Sequence, residues 1–356
     1  MKTLLIYNVS KENKDLSYQH GWVKAFKNDR LFRCDFLNLK NIFSVKSFKI
    51  NIKNLFLTKY DCIVVLHSAF SNACLMPSYL QKIIRNKSSF KIYFIGNEYK
   101  HMPEKVSFIK YLKINLLITQ SHSREVINHY KDNLKINVDH IVNTGLDDEI
   151  FFPKINYEKR EKIIGYRTYP EPEYFGHQER VRLYEFLKNY SKDKAYNFDL
   201  SIRDSDRFEY KEWANFLNKC KCIASSNTGW DYFSLNDDLR NKVNNSGLEG
   251  FNQIYEKFFK HLKEGIKWRG VTGKIIEPAG CKTALMLVEG DYNEFKPNFH
   301  YISLNRDYSN IDECMEKLSD KYFVSTIIDN SYKLVKKKYL YKHYTKRLFD
   351  IINKII

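Results

Sequence analysis

Short apolar runs alternate with amphipathic stretches along the first part of the chain. Consecutive apolar residues are typical of buried parallel strands, and apolar positions repeating every three or four residues are typical of helices. The predicted strands are 3–7, 32–37, 62–66, 91–95, 116–119 and 138–142, and the predicted helices are 18–28, 77–85 and 123–130. This β-α-β alternation predicts a parallel sheet with helices on both faces, which binds ligands beyond the carboxyl ends of its strands.

A second series of the same kind follows a turn-rich stretch at 143–153 and a charged stretch at 157–161. Its predicted strands are 162–165, 198–202, 222–225, 283–288 and 301–304, and its predicted helices are 179–190, 211–219, 273–282 and 311–318. Residues 227–269 form a polar and aromatic insertion, whose aromatic side chains either build a core or stack on a ligand. The pattern predicts an α/β protein of two facing doubly wound Rossmann-like domains, 1–155 and 156–335.

Composition adds a size and a charge to this picture. Of the 356 residues, 43 % are hydrophobic and 15 % aromatic, which is enough for two packed cores. The net charge of +17 favours either an anionic partner or a solvated basic surface. The basic residues are dispersed without a known nucleic-acid motif, so we expect no nucleic-acid partner, although a basic nucleic-acid-binding protein is an alternative. Seven scattered cysteines indicate buried thiols in a reducing cytoplasm, and no apolar run is long enough to span a membrane.

The sharpest chemical signal is a polar loop that opens a short helix and leads into a buried strand. Free backbone N–H groups at the helix start, near Thr272 and Gly273, can hold a phosphate, and Lys274 adds a positive charge there. Glu277 lies one turn further on the same face, and a carboxylate can accept both hydroxyls of a ribose. Pro278 indicates a helix that starts late or is kinked. A surface helix with a routine lysine–glutamate pair is the alternative interpretation.

This segment resembles the donor-binding motif of GT-B glycosyltransferases, especially family 4 and the spore-maturation-protein-like relatives. Lys274-Ile275-Ile276-Glu277 and Ala279-Gly280-Cys281 match its basic residue, two apolar residues, Glu, small residues and Cys. Residues 116–121 and 142–153 are similar to the last N-domain strand and the interdomain loop of these enzymes. The end of the chain resembles their closing helix, which implies a final unit, 336–356, that crosses back to the N-terminal domain.

The resemblance implies that the C-terminal domain binds a nucleoside-diphosphate sugar. Basic side chains would meet its pyrophosphate, Glu277 would hold its ribose, and a loop before the last strand would grip its base. The implied donor-binding residues are Arg203, Thr272, Gly273, Glu277 and Tyr301. Arg167 and Lys274 are implied as catalytic residues, because they would neutralise the leaving pyrophosphate. Many family members carry a second Glu where this chain has Arg269, and usually Gly where it has Lys282. A degenerate GT-B protein that serves in binding or assembly is therefore an alternative.

The N-terminal domain is expected to supply acceptor contacts and any acid or base. Glu98 is the third catalytic candidate, alongside His67 and His101, and all three of these N-terminal residues follow predicted strand ends. A structural role fits each of them as well. The resemblance implies a retaining mechanism with no metal or other cofactor, and acidic loop pairs such as Asp204 and Asp206 are common without an ion.

These observations predict a glycosyltransferase that moves a sugar from a nucleoside-diphosphate sugar to a glycan or lipid-linked acceptor, in surface-polysaccharide or glycoconjugate synthesis. We expect it in the cytoplasm, with peripheral contact at the inner face of the plasma membrane as a second expectation. Seven basic residues are interleaved with apolar ones near the end of the chain: Lys333, Lys336, Lys337, Lys338, Lys342, Lys346 and Arg347. Such a helix can lie on an anionic membrane, or it can be a crossing helix with a solvated face.

Overall fold

The computed structural model describes residues 1–10, 17–41, 55, 57–71, 75–208 and 210–356. Cys74, one of the predicted buried thiols, lies outside these residues. The other cysteines are free, and all but the half-buried Cys34 are buried, as predicted. No helix among the described residues combines the length and the apolar character that crossing a bilayer requires.

The N-terminal half contains a parallel sheet with strand order β2-β1-β3-β4-β5-β6. The strands are β1 (Lys2–Tyr7), β2 (Arg33–Asn38), β3 (Cys62–Val65), β4 (Phe90–Phe94), β5 (Leu116–Thr119) and β6 (Asn137–His140). The helices that cover it are α1 (Ser17–Asn28), α2 (Ser78–Arg85), α3 (Met102–Leu112) and α4 (Arg124–Leu134). Every residue of β3 and β5 is buried, because helices lie on both faces of the sheet.

The C-terminal half repeats this architecture. Its strands are β7 (Lys162–Arg167), β8 (Asp199–Ser201), β9 (Cys220–Ser225), β10 (Gly229–Trp230), β11 (Trp268–Arg269), β12 (Ala284–Val288) and β13 (Ile302–Leu304). Five of them form a parallel sheet with order β13-β12-β9-β7-β8, and β10 and β11 form a separate antiparallel ribbon. The prediction of an α/β protein with two doubly wound sheets is therefore confirmed.

The helices of the second half include both the predicted ones and those of the insertion. They are α5 (Glu179–Asp193), α6 (Tyr210–Lys219), α7 (Asp238–Asn244), α8 (Phe251–Phe258), α9 (Gly273–Gly280), α10 (Ile311–Ser319), α11 (Lys321–Lys338) and α12 (Tyr341–Ile355). Helix α9 begins five residues before Pro278, so the expectation of a late start was wrong. A proline this close to the end removes one backbone hydrogen bond from a short helix that is buried from Ile275 onward.

The insertion carries its aromatic residues into the N-terminal half. Trp230 and Trp268 stack with ring centroids 4.2 Å apart across the ribbon. Trp230 packs edge-on against Tyr99 at 5.2 Å, and Phe233 packs against Tyr130 at the same distance. These side chains belong to the same hydrophobic cluster as the outer layer of the first sheet. Of the two predicted roles for the insertion aromatics, the structure supports a core, and that core is shared between the halves.

The chain crosses back to the N-terminal half at its end, but the crossing is shorter than the predicted unit 336–356. Helix α11 packs on the C-terminal half and ends at Lys338, with Tyr339 as its C-cap, before α12 begins. Helix α12 packs against α1, where Tyr344 lies 5.7 Å from the ring of Trp22. Thr345 Oγ1 also donates to Asp29 Oδ2 at 2.5 Å. Residues 336–338 therefore belong to the preceding helix, and the crossing begins at Tyr341.

Candidate functional site

The second sheet has its topological switch point between β7 and β9. The chain leaves these adjacent strands in opposite directions, which opens a crevice at their carboxyl ends. A small pocket lies in that crevice, and the N-terminal end of α9 forms one wall. The polar residues that line this switch-point pocket are Arg167, Thr168, Arg180, Ser225, Ser226, Thr228 and Lys274.

The start of α9 presents polar groups that have no partner among the described residues. Thr272 has an extended backbone, with φ −127° and ψ 174°, and its carbonyl accepts from Ile275 N and Ile276 N. Its side chain does not cap the helix, and Thr272 Oγ1 is buried without a hydrogen-bond partner in the described part of the chain. The first N–H groups of a helix also lack intrahelical partners. Together these groups suit an anion at the helix start.

Lys274 lies at this helix start and reaches into the pocket. Its Nζ donates to Thr168 Oγ1 at 2.6 Å and lies 5.8 Å from the ring centre of Tyr169. Burial, followed by the positive charge of Arg180, lowers the pKa of Lys274 well below its ordinary value. An anion bound here would stabilise the protonated form of Lys274 and offset the positive charge of Arg180. The site therefore favours a negatively charged ligand.

Glu277 is held by a residue that the sequence analysis did not identify. Glu277 is buried, and its Oε2 accepts from the indole Nε1 of Trp213 at 2.8 Å. The carboxylate folds back over Gly273, where an added Cβ would come within 2.8 Å of Oε2. Gly273 therefore leaves room for the carboxylate beside the helix start. Trp213 stood in a predicted helix without any local signal of this contact.

Arg180 is a second residue that the sequence analysis missed. It lines the pocket, it is buried, and its Nη1 has no hydrogen-bond partner among the described residues. Although burial lowers its pKa, the neighbouring Tyr169 and Glu171 raise the pKa of Arg180 above its ordinary value. A basic residue in the first turn of α5 opposes the helix dipole, and that placement was an available signal.

Both arginines that the sequence analysis predicted for the donor site have protein partners. Arg167 lines the pocket, but its guanidinium pairs with Asp199 and lies over the ring of Phe216, 4.9 Å from its centre. Arg203 is exposed, and its Nη2 pairs with Asp206 Oδ2 at 2.8 Å. A phosphate at Arg167 would compete with Asp199, and Arg203 is not among the residues that line the pocket. Their predicted roles gain no support from these contacts.

Tyr301 and Glu98 are both buried among protein groups. Tyr301 packs against Tyr292 in the core, with ring centroids 5.4 Å apart. Glu98 Oε2 accepts from the hydroxyls of Thr119 and Tyr130, each at 2.7 Å. Its Oε1 accepts from the Gln120 amide at 3.0 Å. These contacts favour a structural role for each residue. The contact of Tyr301 with the nucleotide base and the catalytic role of Glu98 stay predictions.

The histidine candidates lie on the N-terminal side. His67 is buried, its ring lies 4.9 Å from that of Tyr18, and burial lowers its pKa to about 3. His101, Glu104 and Asp237 bring ligand atoms within 4.8 Å of one another. Asp237, however, accepts from the His101 amide at 2.7 Å and pairs with Arg240. Its carboxylate already serves as a cap for α3.

The switch-point pocket is nearly filled by its own side chains, with a free volume of about 10 Å³. That space is close to the minimum for one water molecule. A larger ligand therefore has to displace the Lys274–Thr168 hydrogen bond as it binds. The arrangement can hold an anionic group at the start of α9 beside the two cations, Lys274 and Arg180.

Comparisons with known proteins identify the fold. No protein-family model matches the sequence, and no curated protein matches it. A glycosyltransferase from Rickettsia africae aligns over 99 % of this chain and 98 % of its own, with a TM-score of 0.54 and 12 % identity. Sucrose-phosphate synthase from Thermosynechococcus elongatus aligns over 100 % and 99 %, with a TM-score of 0.52 and 10 % identity.

A third similar structure is Anabaena HepE in complex with UDP-glucose. It aligns over 99 % of this chain and 100 % of its own, with a TM-score of 0.52 and 9 % identity. The likeness to these structures shows that the chain has the GT-B glycosyltransferase fold. At these identities it concerns the fold alone, and membership of family 4 or of the spore-maturation-protein-like group stays a prediction.

Proposed function

We propose that this protein is a glycosyltransferase that moves a sugar from a nucleoside-diphosphate sugar to a glycan or lipid-linked acceptor. The observation that carries the proposal is the start of α9 at the switch point of a GT-B fold, where Lys274 and Arg180 line one pocket and the nearby Thr272 hydroxyl is buried without a hydrogen-bond partner among the described residues. Nucleotide phosphates bind at such helix starts. The similarity to HepE, solved with UDP-glucose, supports a nucleotide-sugar donor.

In this proposal the residues act on two parts of the donor, its pyrophosphate and its ribose. Lys274 and Arg180 neutralise the charge that develops on the departing pyrophosphate, which is where electrostatic stabilisation lowers the barrier most. The amides at Gly273 and Lys274 hold a phosphate oxygen, and Glu277, oriented by Trp213, accepts the ribose hydroxyls. The sugar is transferred with retention of configuration and without a metal.

We further propose a role in surface-polysaccharide or glycoconjugate synthesis in the cytoplasm. Exposed lysines of α11 and α12 would attract the chain to an anionic membrane that carries the acceptor. No nucleic-acid partner is proposed.

Calorimetric titration with UDP, GDP and CDP tests donor binding. We expect one nucleotide to bind the wild-type protein, and Lys274→Met and Glu277→Ala to weaken it about tenfold or more, because each removes a charge-assisted contact. Lys260→Gln is the matched control, since this exposed lysine pairs with Glu256, does not line the switch-point pocket and should leave binding unchanged. If none of the nucleotides binds, the transferase proposal is wrong.

A binding or assembly protein with a degenerate GT-B fold is the second candidate. Arg269 stands where many family members have a sugar-contacting Glu, and it pairs with Asp231 instead of presenting a carboxylate. Incubation with UDP-, GDP- and CMP-sugars separates the candidates, because a transferase slowly hydrolyses its donor when no acceptor is present. Tight nucleotide binding with no hydrolysis and no transfer to any acceptor would favour the second candidate.

A further inference from the structure

A second and much larger cavity lies between the two halves, with a volume of about 570 Å³. From the N-terminal half it is lined by the start of α4, including Arg124 and Glu125. From the C-terminal half it is lined by Glu179 at the start of α5, by Asn227 after β9 and by Arg306 after β13. The volume lies in the range typical of small-molecule sites. We call it the interdomain cavity.

The interdomain cavity adjoins the switch-point pocket. Asn227 lines the cavity, and its chain neighbours Ser226 and Thr228 line the pocket. Consecutive Cα atoms are about 3.8 Å apart, so one loop forms the wall between the two spaces. A ligand in the cavity would therefore lie within reach of a sugar whose phosphates occupy the pocket.

Asn227 lines this cavity and carries an acceptor that no described residue uses. The residue is 6 % exposed, and its Oδ1 accepts no hydrogen bond within the described residues. Gly290 faces it so closely that an added Cβ would lie 2.7 Å from Asn227 Nδ2. The amide is thus fixed in place while its oxygen stays unsatisfied, which is costly unless a ligand donates to it. A sugar hydroxyl is a suitable donor.

The charges around the cavity divide into paired and unpaired groups. Arg269 pairs with Asp231, and His122 Nε2 lies 2.9 Å from Asp291 Oδ2. Across the described part of the chain, Arg124 and Arg306 form no ion pair, and neither do Glu125 and Glu179. Helices α4 and α5 are 11 and 15 residues long, and the first turn of each lies at the cavity. The N-terminal ends of these helices add positive potential there.

We propose that the interdomain cavity binds the acceptor, and that this acceptor is a saccharide bearing a phosphate or carboxylate group. This inference rests on the proposed function and specifies its substrate class. Arg124 and Arg306 hold the anionic group, while Glu125, Glu179 and Asn227 accept hydrogen bonds from the sugar hydroxyls. Arginine suits both kinds of anion because its planar guanidinium matches their oxygen atoms.

Binding of three sugars tests the proposal: glucose 6-phosphate, glucuronate and neutral glucose, each titrated into the full-length protein and followed by NMR or calorimetry. We expect at least one anionic sugar to bind about tenfold or more tightly than glucose, since charge-assisted contacts contribute that much. Binding of only the phosphate or only the carboxylate would identify which anion the acceptor carries.

Three variants locate the site. The double variant Arg124→Gln/Arg306→Gln should lose the preference for anionic sugars. Both residues are exposed, so the substitutions should keep the fold, and circular dichroism checks that they do. Lys274→Met should keep the preference, because Lys274 lies in the other pocket. Lys260→Gln, which lines neither cavity, is the control for lost surface charge. Equal binding of all three sugars, no binding, or loss of the preference in Lys274→Met would overturn the proposal.

Failure of this proposal can be distinguished from failure of the proposed function. UDP titration reports on the switch-point pocket, and the double variant should leave it unchanged. A protein that binds UDP but shows no preference for anionic sugars would keep the transferase proposal and refute the acceptor class. A protein that binds anionic sugars in the cavity but no nucleotide would refute the transferase proposal.

Discussion

The contact between Trp213 and Glu277 shows how one side chain depends on another. An acidic side chain buried beside a helix start has several oxygen positions available, and the indole N–H fixes one of them at 2.8 Å. A hydrogen bond to a charged group contributes about 1.5–3 kcal/mol. Trp213 is thus a positioning residue for the carboxylate that we propose for ribose binding.

Trp213→Phe keeps the aromatic ring and removes this hydrogen bond. We expect nucleotide affinity to fall about tenfold, because the carboxylate loses a hydrogen bond that orients it. Calorimetry measures the change. Tyr210→Phe is the matched control on the same helix, since its hydroxyl donates to Asp147 at 2.6 Å rather than to Glu277. Unchanged affinity in Trp213→Phe would exclude the positioning role.

The lowered pKa of Lys274 makes donor binding dependent on pH. In the free protein part of the Lys274 population is neutral at a pH above its lowered pKa, and a bound pyrophosphate raises that pKa again. Binding should therefore take up protons, and nucleotide affinity should fall as pH rises through the free-state pKa. Calorimetry in Pipes and in Tris, which differ in ionisation enthalpy, measures the protons. Lys274→Met should abolish the uptake; equal apparent enthalpies for the wild type would contradict the assignment.

At the scale of elements, the ribbon and the residues next to it connect the two halves through hydrogen bonds and aromatic contacts. Ser121 Oγ donates to the Arg269 carbonyl at 2.8 Å, and Asp237 accepts from the start of α3. Phe233 inserts beside Tyr130 of α4. The aromatic pattern of 227–269 predicted that these side chains could form a core. The side chains that they contact lie in the other half of the chain, and local spacing does not indicate them.

Phe233→Ala should lower the free energy of unfolding by about 3–5 kcal/mol, because it leaves a cavity in a core shared by both halves. Urea unfolding followed by tryptophan fluorescence measures this. Tyr255→Ala is the control in the same insertion, since its side chain is 40 % exposed and should cost far less. A loss below about 1 kcal/mol for Phe233→Ala would show that the ribbon does not stabilise the interface.

At the scale of the whole molecule, the basic residues near the end of the chain are not equivalent. Four of the seven form ion pairs: Lys336 with Asp148, Lys338 with Glu294, Lys346 with Asp350 and Arg347 with Asp139. Lys333, Lys337 and Lys342 are exposed and form no ion pair within the described residues. Attraction to a membrane would therefore depend on these three.

Replacing Lys333, Lys337 and Lys342 together with Gln should weaken binding to phosphatidylserine vesicles by about two orders of magnitude, at about 1 kcal/mol for each charge near the surface. Sedimentation with the vesicles at low and high salt measures the effect. The matched control is the triple replacement of Lys336, Lys338 and Lys346, which are already paired and should matter less. If both triple variants bind as the wild type does, the helix has only its crossing role.

The sequence by itself determined the two doubly wound sheets, the helix start at Thr272 and most of the strands and helices, although it missed helix α3 and the ribbon strands β10 and β11. These follow from local patterns, since burial on one or two faces fixes where apolar residues recur. The tertiary structure decided which side chains meet there. Lys274 bonds to Thr168 across 106 positions and Glu277 to Trp213 across 64, and Arg180 rather than Arg203 lines the pocket. Such partners depend on how elements that are distant in sequence pack together. The periodicity of a single element indicates which of its faces is buried, but it does not indicate which element covers that face.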